Sequence, residues 1–320
     1  VHKYGPHLFH TNFEDVWNYL NRFTKFNNYQ HRVLWYIDGN LVPIPFNLNS
    51  LYWVFSQEYA KKLESTLLQF FNYNDKVTIQ ELRDKAQEEN NEELQFIADY
   101  IFEKVFKNYT IKQWQITPEE IDPNVLKRVP IMISRDDRYF PWHKFQWQPI
   151  GWYTQMFEKM VDSPLISIML NTDYKDIIDQ LSYNKLIITS PMDEYFGYKY
   201  GKLEYKKTAY ILETQQQQLF QKATTINYPN DHQYTRITEM KHMYPEANSF
   251  KWSKTVICTE FPWVGTIDAY PVENTENREI YNKYLSEAEQ LGNVYFIWRL
   301  ANYKYQDMDI TFKNALDFEL

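Results

Sequence analysis

The feature that most constrains this chain is a change of hydrophobic period. From Gln57 to about Tyr109 apolar residues recur at helical spacing, through "QEYAKKLESTLLQFF", "TIQELRDKAQ" behind a Thr78 cap, and "EELQFIADYIFEKVF", where Leu94, Ile97, Ile101 and Val105 form one stripe. From Leu165 onward short runs take over that read as strands: "ISIML", "NKLIITS", "TAYILET", "ATTINY", "YTRITEMKH", "TVICTEF" and "NVYFI". Such a chain is neither all-α nor all-β, and the pattern predicts a mixed α/β fold with a helical block set between other elements.

Local signals refine this. Thr11 and Glu14 have capping-box spacing ahead of Phe13, Val16, Trp17, Leu20 and Phe23, which predicts a helix there. "HRVLWYIDGNLVPIPF" reads as a hairpin turning at Asp38-Gly39. Thr117 and Pro118 begin a short helix in "TPEEIDPNVLKRV", and helices are also expected in "NREIYNKYLSEAEQLG", ending at Gly292, and around "ITFKNALDF".

Composition narrows the function. Only seven of 320 residues are glycine, against a usual ~7%, while aromatics reach 18% with 27 tyrosines. Stacking surface is plentiful, and neither a G-x-G-x-x-G nor a P-loop pattern occurs. A net charge of -8 with interspersed signs argues against nucleic acid as a partner. No apolar run approaches the ~20 residues of a membrane span and the first residues do not read as a signal peptide, so a cytoplasmic protein without a membrane partner is expected. Cys258, the single cysteine, alternates with polar residues as a strand core position does.

Three of seven histidines, His2, His7 and His10, crowd the opening "VHKYGPHLFHTN". His7 and His10 have a spacing that two metal ligands could use, but no acid or cysteine nearby completes a set, so no metal is expected. On residue type alone they are loop histidines that satisfy backbone groups.

Seven segments together carry a resemblance: "YGPHLFHT", "RVLWYIDGNLVPIPFNLNS", "NYTIKQW", "RVPIMISRDDRYF", "YTRITEMKH", "AYPVENTEN" and "RLANYKYQDMD". In order and spacing this series resembles that of the UDP-galactopyranose mutases. The resemblance implies a discontinuous FAD-binding, Rossmann-like part over 1–50, 165–200 and 280–320, and a helical subdomain over 51–130 with a mobile lid near 118–132. An antiparallel sheet for the substrate, six-stranded in the family, falls over 131–164 and 201–279. The family's first βαβ unit, with its glycine-rich turn, precedes the part that these segments match.

The same resemblance implies an isomerase that interconverts UDP-galactopyranose and UDP-galactofuranose, the latter for cell-wall polysaccharide, through a covalent adduct on reduced FAD. UDP-galactose is the implied partner, and a homodimer is compatible with the resemblance. Phe106, Tyr109, Thr110 and Trp114 fall where the family stacks uracil and galactose. Tyr139, Asn227, Tyr270 and Tyr305 match other substrate-binding positions. Arg128, on the lid, and Arg236 match the two diphosphate clamps, a task suited to a planar guanidinium. His10 would act with them, His7, His10, Arg299 and Asp307 would line the flavin, and no side chain need be the nucleophile.

Three indoles open an alternative. Trp298 precedes Arg299 where the family has glycine, and Trp147 and Trp152 stand at glycine-like positions in "FQWQPIGWYT". A flavin-free, catalytically inactive relative that keeps UDP-sugar binding is the second reading.

Overall fold

The computed structural model describes residues 1–114, 129–245 and 252–319. These fall into two compact units, one of Val1–Leu8, Asn28–Trp147 and Thr208–Ile267, the other of Phe9–Asn27, Gln148–Lys207 and Asp268–Leu320. The architecture is mixed α/β in both.

In the first unit, strands Val33–Ile37 and Asn40–Ile44 form the expected hairpin. Its turn residues Asp38 and Gly39 both have positive φ, 48° and 84°, the geometry for which Asp-Gly is suited. Strand Thr225–Asn227 runs parallel to Val33–Ile37 and antiparallel to Arg236–Glu239. Arg236–Glu239 pairs with Thr255–Pro262, and that strand with Tyr205–Gln215. Within 201–279 these strands pair antiparallel, and a parallel pair joins them to the hairpin, because the return from the hairpin to Thr225 passes through a long crossover rather than a turn.

One face of the hairpin packs on helices. Leu48–Val54, Gln57–Phe70, Ile79–Glu88 and Glu92–Ile101 bury Leu51, Leu63, Leu82 and Ile97 with Trp35 and Ile37 in one continuous core. Thr78 forms a full capping box with Glu81, as its position predicts. Asn47 and Ser50 form another ahead of Leu48–Val54, a helix the periodicity did not announce. After Ile101 the chain widens into a π-helical turn, Phe102–Lys107, and then continues as the helix Asn108–Trp114.

In the second unit Glu14–Leu20 and Met308–Asp317 share a core with Phe9 and Met156, and Thr275–Ala288 packs Tyr281 and Tyr284 beside Tyr303. Leu186–Ile188 and Val294–Phe296 form a parallel pair.

Some expectations fail for identifiable reasons. No capping box forms at Thr11: this residue ends the strand Phe9–Thr11, its hydroxyl accepts the Phe13 N–H at 2.9 Å, and the helix starts at Glu14. "ISIML" is not a strand; Met169 and Leu170 are 59% and 79% exposed, so its apolar content has nothing to pair with. The helix near Gly292 ends at Ala288. Cys258 is a core strand residue whose thiol burial pushes up to about 11, and it is inert at neutral pH. The short helix expected at Thr117 lies outside the described residues. Among the described residues, no helix is long and apolar enough to cross a membrane.

Candidate functional site

A single rung of the first unit's sheet gathers the chemistry. Trp35 is in register with Asn227, Asn227 with Arg236, Arg236 with Glu260, and Glu260 with Tyr210. Residues directly opposite on adjacent strands project from the same face, so these five side chains form a row. Trp35, Asn227 and Glu260 are buried. Arg236 grips Glu260 with two hydrogen bonds, Nε to Oε2 at 2.7 Å and Nη2 to Oε1 at 3.1 Å. Such a two-point contact fixes the plane of the guanidinium.

The helix Asn108–Trp114 covers the Trp35 end. The Tyr109 ring lies 4.8 Å from the Trp35 ring at 37° and remains half-buried, so one aromatic face rests on the core. Thr110 is buried one residue on. Phe106, in the π-helical turn, is only 5% exposed and belongs to the hydrophobic core. Trp114 is the last residue of the helix. The wider π turn brings both Val105 and Phe106 inward, and such turns recur at functional sites. Trp263 donates its indole N–H to the Gln113 carbonyl at 3.0 Å, which fastens the far end of this helix.

Three buried polar atoms here lack a hydrogen-bond partner: Trp35 Nε1, Asn227 Oδ1 and Gln113 Oε1. An orphaned buried donor or acceptor costs about 1–3 kcal/mol, so such a grouping suits a polar ligand that supplies the missing contacts.

The opening turn meets the other end of the row. Gly5 has φ +89°, and a Cβ placed on it would fall 2.6 Å from a Tyr210 ring carbon, so only glycine lets the turn approach so closely. His7 donates from Nδ1 to the Gly5 carbonyl at 2.9 Å, and its backbone N–H donates to His2 Nδ1 at 2.9 Å. Tyr139 is half-buried, with its N–H on the His31 carbonyl at 2.7 Å and its ring edge-on to His31.

The second unit holds another cluster. The Tyr270 and Tyr305 rings stack at 5.6 Å, with the Arg299 guanidinium 5.6 Å from the first and 5.9 Å from the second. Lys206, fully buried, places Nζ 5.2 Å from the Tyr270 ring centre. The Tyr305 hydroxyl donates to Asp307 at 2.8 Å, and burial, followed by the Asp307 charge, pushes its pKa well above the ordinary tyrosine value. Arg299 Nε is buried without a hydrogen-bond partner. Two cations held by tyrosine faces, one with a spare donor, fit a group that is planar or anionic, as a flavin dinucleotide is both.

The indoles at glycine-like positions keep glycine-like backbone. Trp152 and Trp298 have φ of 74° and 80°, at a cost of roughly 1–2 kcal/mol each, and the two residues are 45% and 37% exposed. Trp147 ends the strand Phe145–Trp147, half-buried.

The structure thus brings Tyr109, Thr110, Asn227 and Arg236 into the neighbourhood of one rung, and Tyr270, Arg299, Tyr305 and Asp307 into one cluster. His10 is buried in the strand Phe9–Thr11 and belongs to the second unit, whereas His2 and His7 belong to the first. Arg128 lies outside the described residues. Sequence reasoning did not pick out Trp35, Glu260 or Lys206; their signal was only an alternating position in a strand, which every strand core shares.

The family described as UDP-galactopyranose mutase matches residues 104–305. A probable UDP-galactopyranose mutase of Klebsiella pneumoniae is 34% identical over 99% of this chain and 80% of its own length. A dTDP-fucopyranose mutase of Escherichia coli is 31% identical over 99% of this chain and 84% of its own length. A crystal structure of a reduced UDP-galactopyranose mutase superposes with a TM-score of 0.58 at 15% identity, covering 98% of this chain and 82% of that one, a likeness of fold.

Proposed function

Since the chain belongs to the UDP-galactopyranose mutase family, whose named members are isomerases, we propose that it interconverts UDP-galactopyranose and UDP-galactofuranose and binds the nucleotide along the Trp35-to-Glu260 rung. The observation that carries this reading is the row itself. Tyr109 on Trp35 offers an aromatic surface, Asn227 an unpaired buried oxygen, and Arg236 a fixed guanidinium, in that order over two strand spacings, or ~10 Å. A base stacks, a ribose or amide hydrogen bond follows, and a diphosphate meets a cation.

Each part has a physical task. An aromatic face holds uracil with little loss of side-chain entropy. Arg236, oriented by Glu260, stabilises charge on the β-phosphate as the glycosidic bond breaks, a gain realised most fully when the leaving group is ionised. Arg128, by its match to the family series, supplies the second cation. Thr110 and Tyr139 add hydroxyls, Trp114 is assigned to the sugar by its match to the family series, and Phe106 supports the helix from the core. In the second unit, Tyr270 and Tyr305 are assigned to phosphate contacts. Arg299, Asp307 and His10 of that unit would hold FAD, which in reduced form supplies nucleophilic chemistry at the anomeric carbon; His7 is assigned to the flavin by its match to the family series.

Titration of purified protein with UDP and with dTDP, and chromatographic assay of sugar-ring interconversion after adding FAD and dithionite, test this reading. Conversion of UDP-galactopyranose with tighter binding of UDP than of dTDP is expected. Absence of UDP binding would remove it, whereas UDP binding without flavin uptake or conversion would favour the flavin-free alternative to which Trp152 and Trp298 point.

A further inference from the structure

Lys112 lies three residues after Tyr109 on the Asn108–Trp114 helix, and its Nζ donates to the carbonyl of Tyr228 at 2.5 Å and to that of Tyr234 at 3.4 Å. Those carbonyls flank the tip of the hairpin whose strands end at Asn227 and Arg236, directly opposite each other in the ladder. The Tyr228 N–H closes the tip on the Thr235 carbonyl at 2.8 Å. Asn108 makes a second tie, its amide donating to Asn230 at 2.9 Å. The tip also stacks on itself, with His232 4.7 Å from Tyr228 and 4.9 Å from Tyr234, and Tyr228 reaches Tyr36 at 5.7 Å.

We propose that Lys112 is a positioning residue, whose ammonium clamps the hairpin tip to the helix and so sets the spacing between Tyr109 and the Asn227/Arg236 pair. The proposal rests on the nucleotide reading above. A lysine suits the task because its compact head reaches two carbonyls at once, and a charge-assisted bond is about twice as strong as a neutral one. Both ends of the clamp are otherwise anchored, the helix by the Trp35 packing of Tyr109 and by Trp263, the hairpin by its strands. Loss of the clamp therefore moves one against the other without unfolding either.

The surroundings make the clamp sensitive to pH. Burial pushes the Lys112 amine down to about 8, with Asp231 opposing the shift. The other groups at the tip are Tyr228, Tyr234 and His232; burial raises both tyrosines above the ordinary value, so they stay neutral through this range. The amine loses its charge as pH rises through about 8, and the clamp weakens on the alkaline side.

The test uses wild type, Lys112→Met and Lys112→Arg, at pH values on either side of about 8. Hydrogen–deuterium exchange of the 228–235 amides is compared with that of the 92–101 helix, alongside UDP affinity. In Lys112→Met, faster exchange confined to 228–235 and UDP affinity lower by about tenfold are expected at both pH values. Wild type should approach that behaviour on the alkaline side, and Lys112→Arg should hold the acidic-side values throughout. Unchanged exchange in Lys112→Met overturns the clamp, as does a loss of protection shared equally by 92–101. Faster exchange with unchanged UDP affinity overturns the positioning role. If wild type binds no UDP, the nucleotide reading fails instead, and exchange alone decides whether Lys112 holds the hairpin.

Discussion

Arg236 and Glu260 face each other on neighbouring strands, and the arginine fork closes on a carboxylate that is 2% exposed. On the proposed reading Arg236 has two tasks, holding Glu260 and binding the diphosphate, and truncation removes both. Arg236→Ala leaves a buried carboxylate without its main partner, so a loss of about 3–5 kcal/mol in stability is expected. UDP affinity should fall by roughly 2–5 kcal/mol as well. The double variant Arg236→Ala, Glu260→Gln should regain much of the stability and none of the affinity. Denaturant melts and UDP calorimetry on wild type and the two variants check this; affinity that returns with stability would show that Arg236 serves only the fold.

Phe106 and Tyr109 lie three residues apart and should respond differently. Phe106 is a core residue, so Phe106→Ala should cost roughly 3–5 kcal/mol of stability. Tyr109 keeps one face outside the core, and Tyr109→Ala should weaken UDP binding by about 1–3 kcal/mol, by analogy with base-stacking platforms, at a smaller thermal cost. Tyr109→Phe should retain the stacking. Melting temperature and UDP affinity measured together separate the two positions, and a thermal loss in Tyr109→Ala equal to that of Phe106→Ala would place Tyr109 in the core.

The parts of this molecule that were legible in the sequence share a local cause. The Asp38-Gly39 turn and the Thr78 cap are each fixed by residues within a few positions of one another, so propensity and structure agree. "ISIML" misled because β-propensity describes a surface to pack on, and none is present at Leu165 to Leu170. Thr11 misled because its hydroxyl had a nearer donor in Phe13. The rung could not be read at all before the structure: Trp35, Asn227, Arg236 and Glu260 are far apart in sequence, and only strand register aligns them. Motif resemblance found Asn227 and Arg236 but gave no reason for their being opposite each other.

Arg299 should report on the flavin independently of the nucleotide. Its guanidinium is held over Tyr270 and Tyr305 with a buried Nε that has no hydrogen-bond partner. Losing a charged hydrogen bond costs about 1.5–3 kcal/mol, so Arg299→Met should lower FAD affinity by roughly ten- to a hundredfold. Lysine keeps the charge but not the plane, and Arg299→Lys should fall between. Flavin absorbance retained through gel filtration is the measurement, and equal retention in all three proteins would detach Arg299 from the cofactor.

Glu239 sets a limit on acid stability. It is fully buried at the end of the strand Arg236–Glu239 and accepts the backbone N–H groups of Phe220 and Gln221, at 2.9 to 3.0 Å, and His242 Nε2 at 3.1 Å. Burial alone would raise its pKa, but the bonds from His242, Gln221 and Phe220 act against it and the carboxyl is held below its ordinary value. Since the folded value is the lower one, the stabilisation is complete above the unfolded pKa near 4.3 and is lost as pH falls through the folded value. The melting temperature should therefore decline steadily below about pH 4.5. Glu239→Gln places an NH2 group among backbone donors and should cost about 1–3 kcal/mol at neutral pH. The same substitution should flatten the acid decline, because the group that titrates is gone. Thermal melts of both proteins from neutral pH down to about pH 3 test the pair of effects, and an acid decline of the same steepness in Glu239→Gln would assign it to other carboxylates.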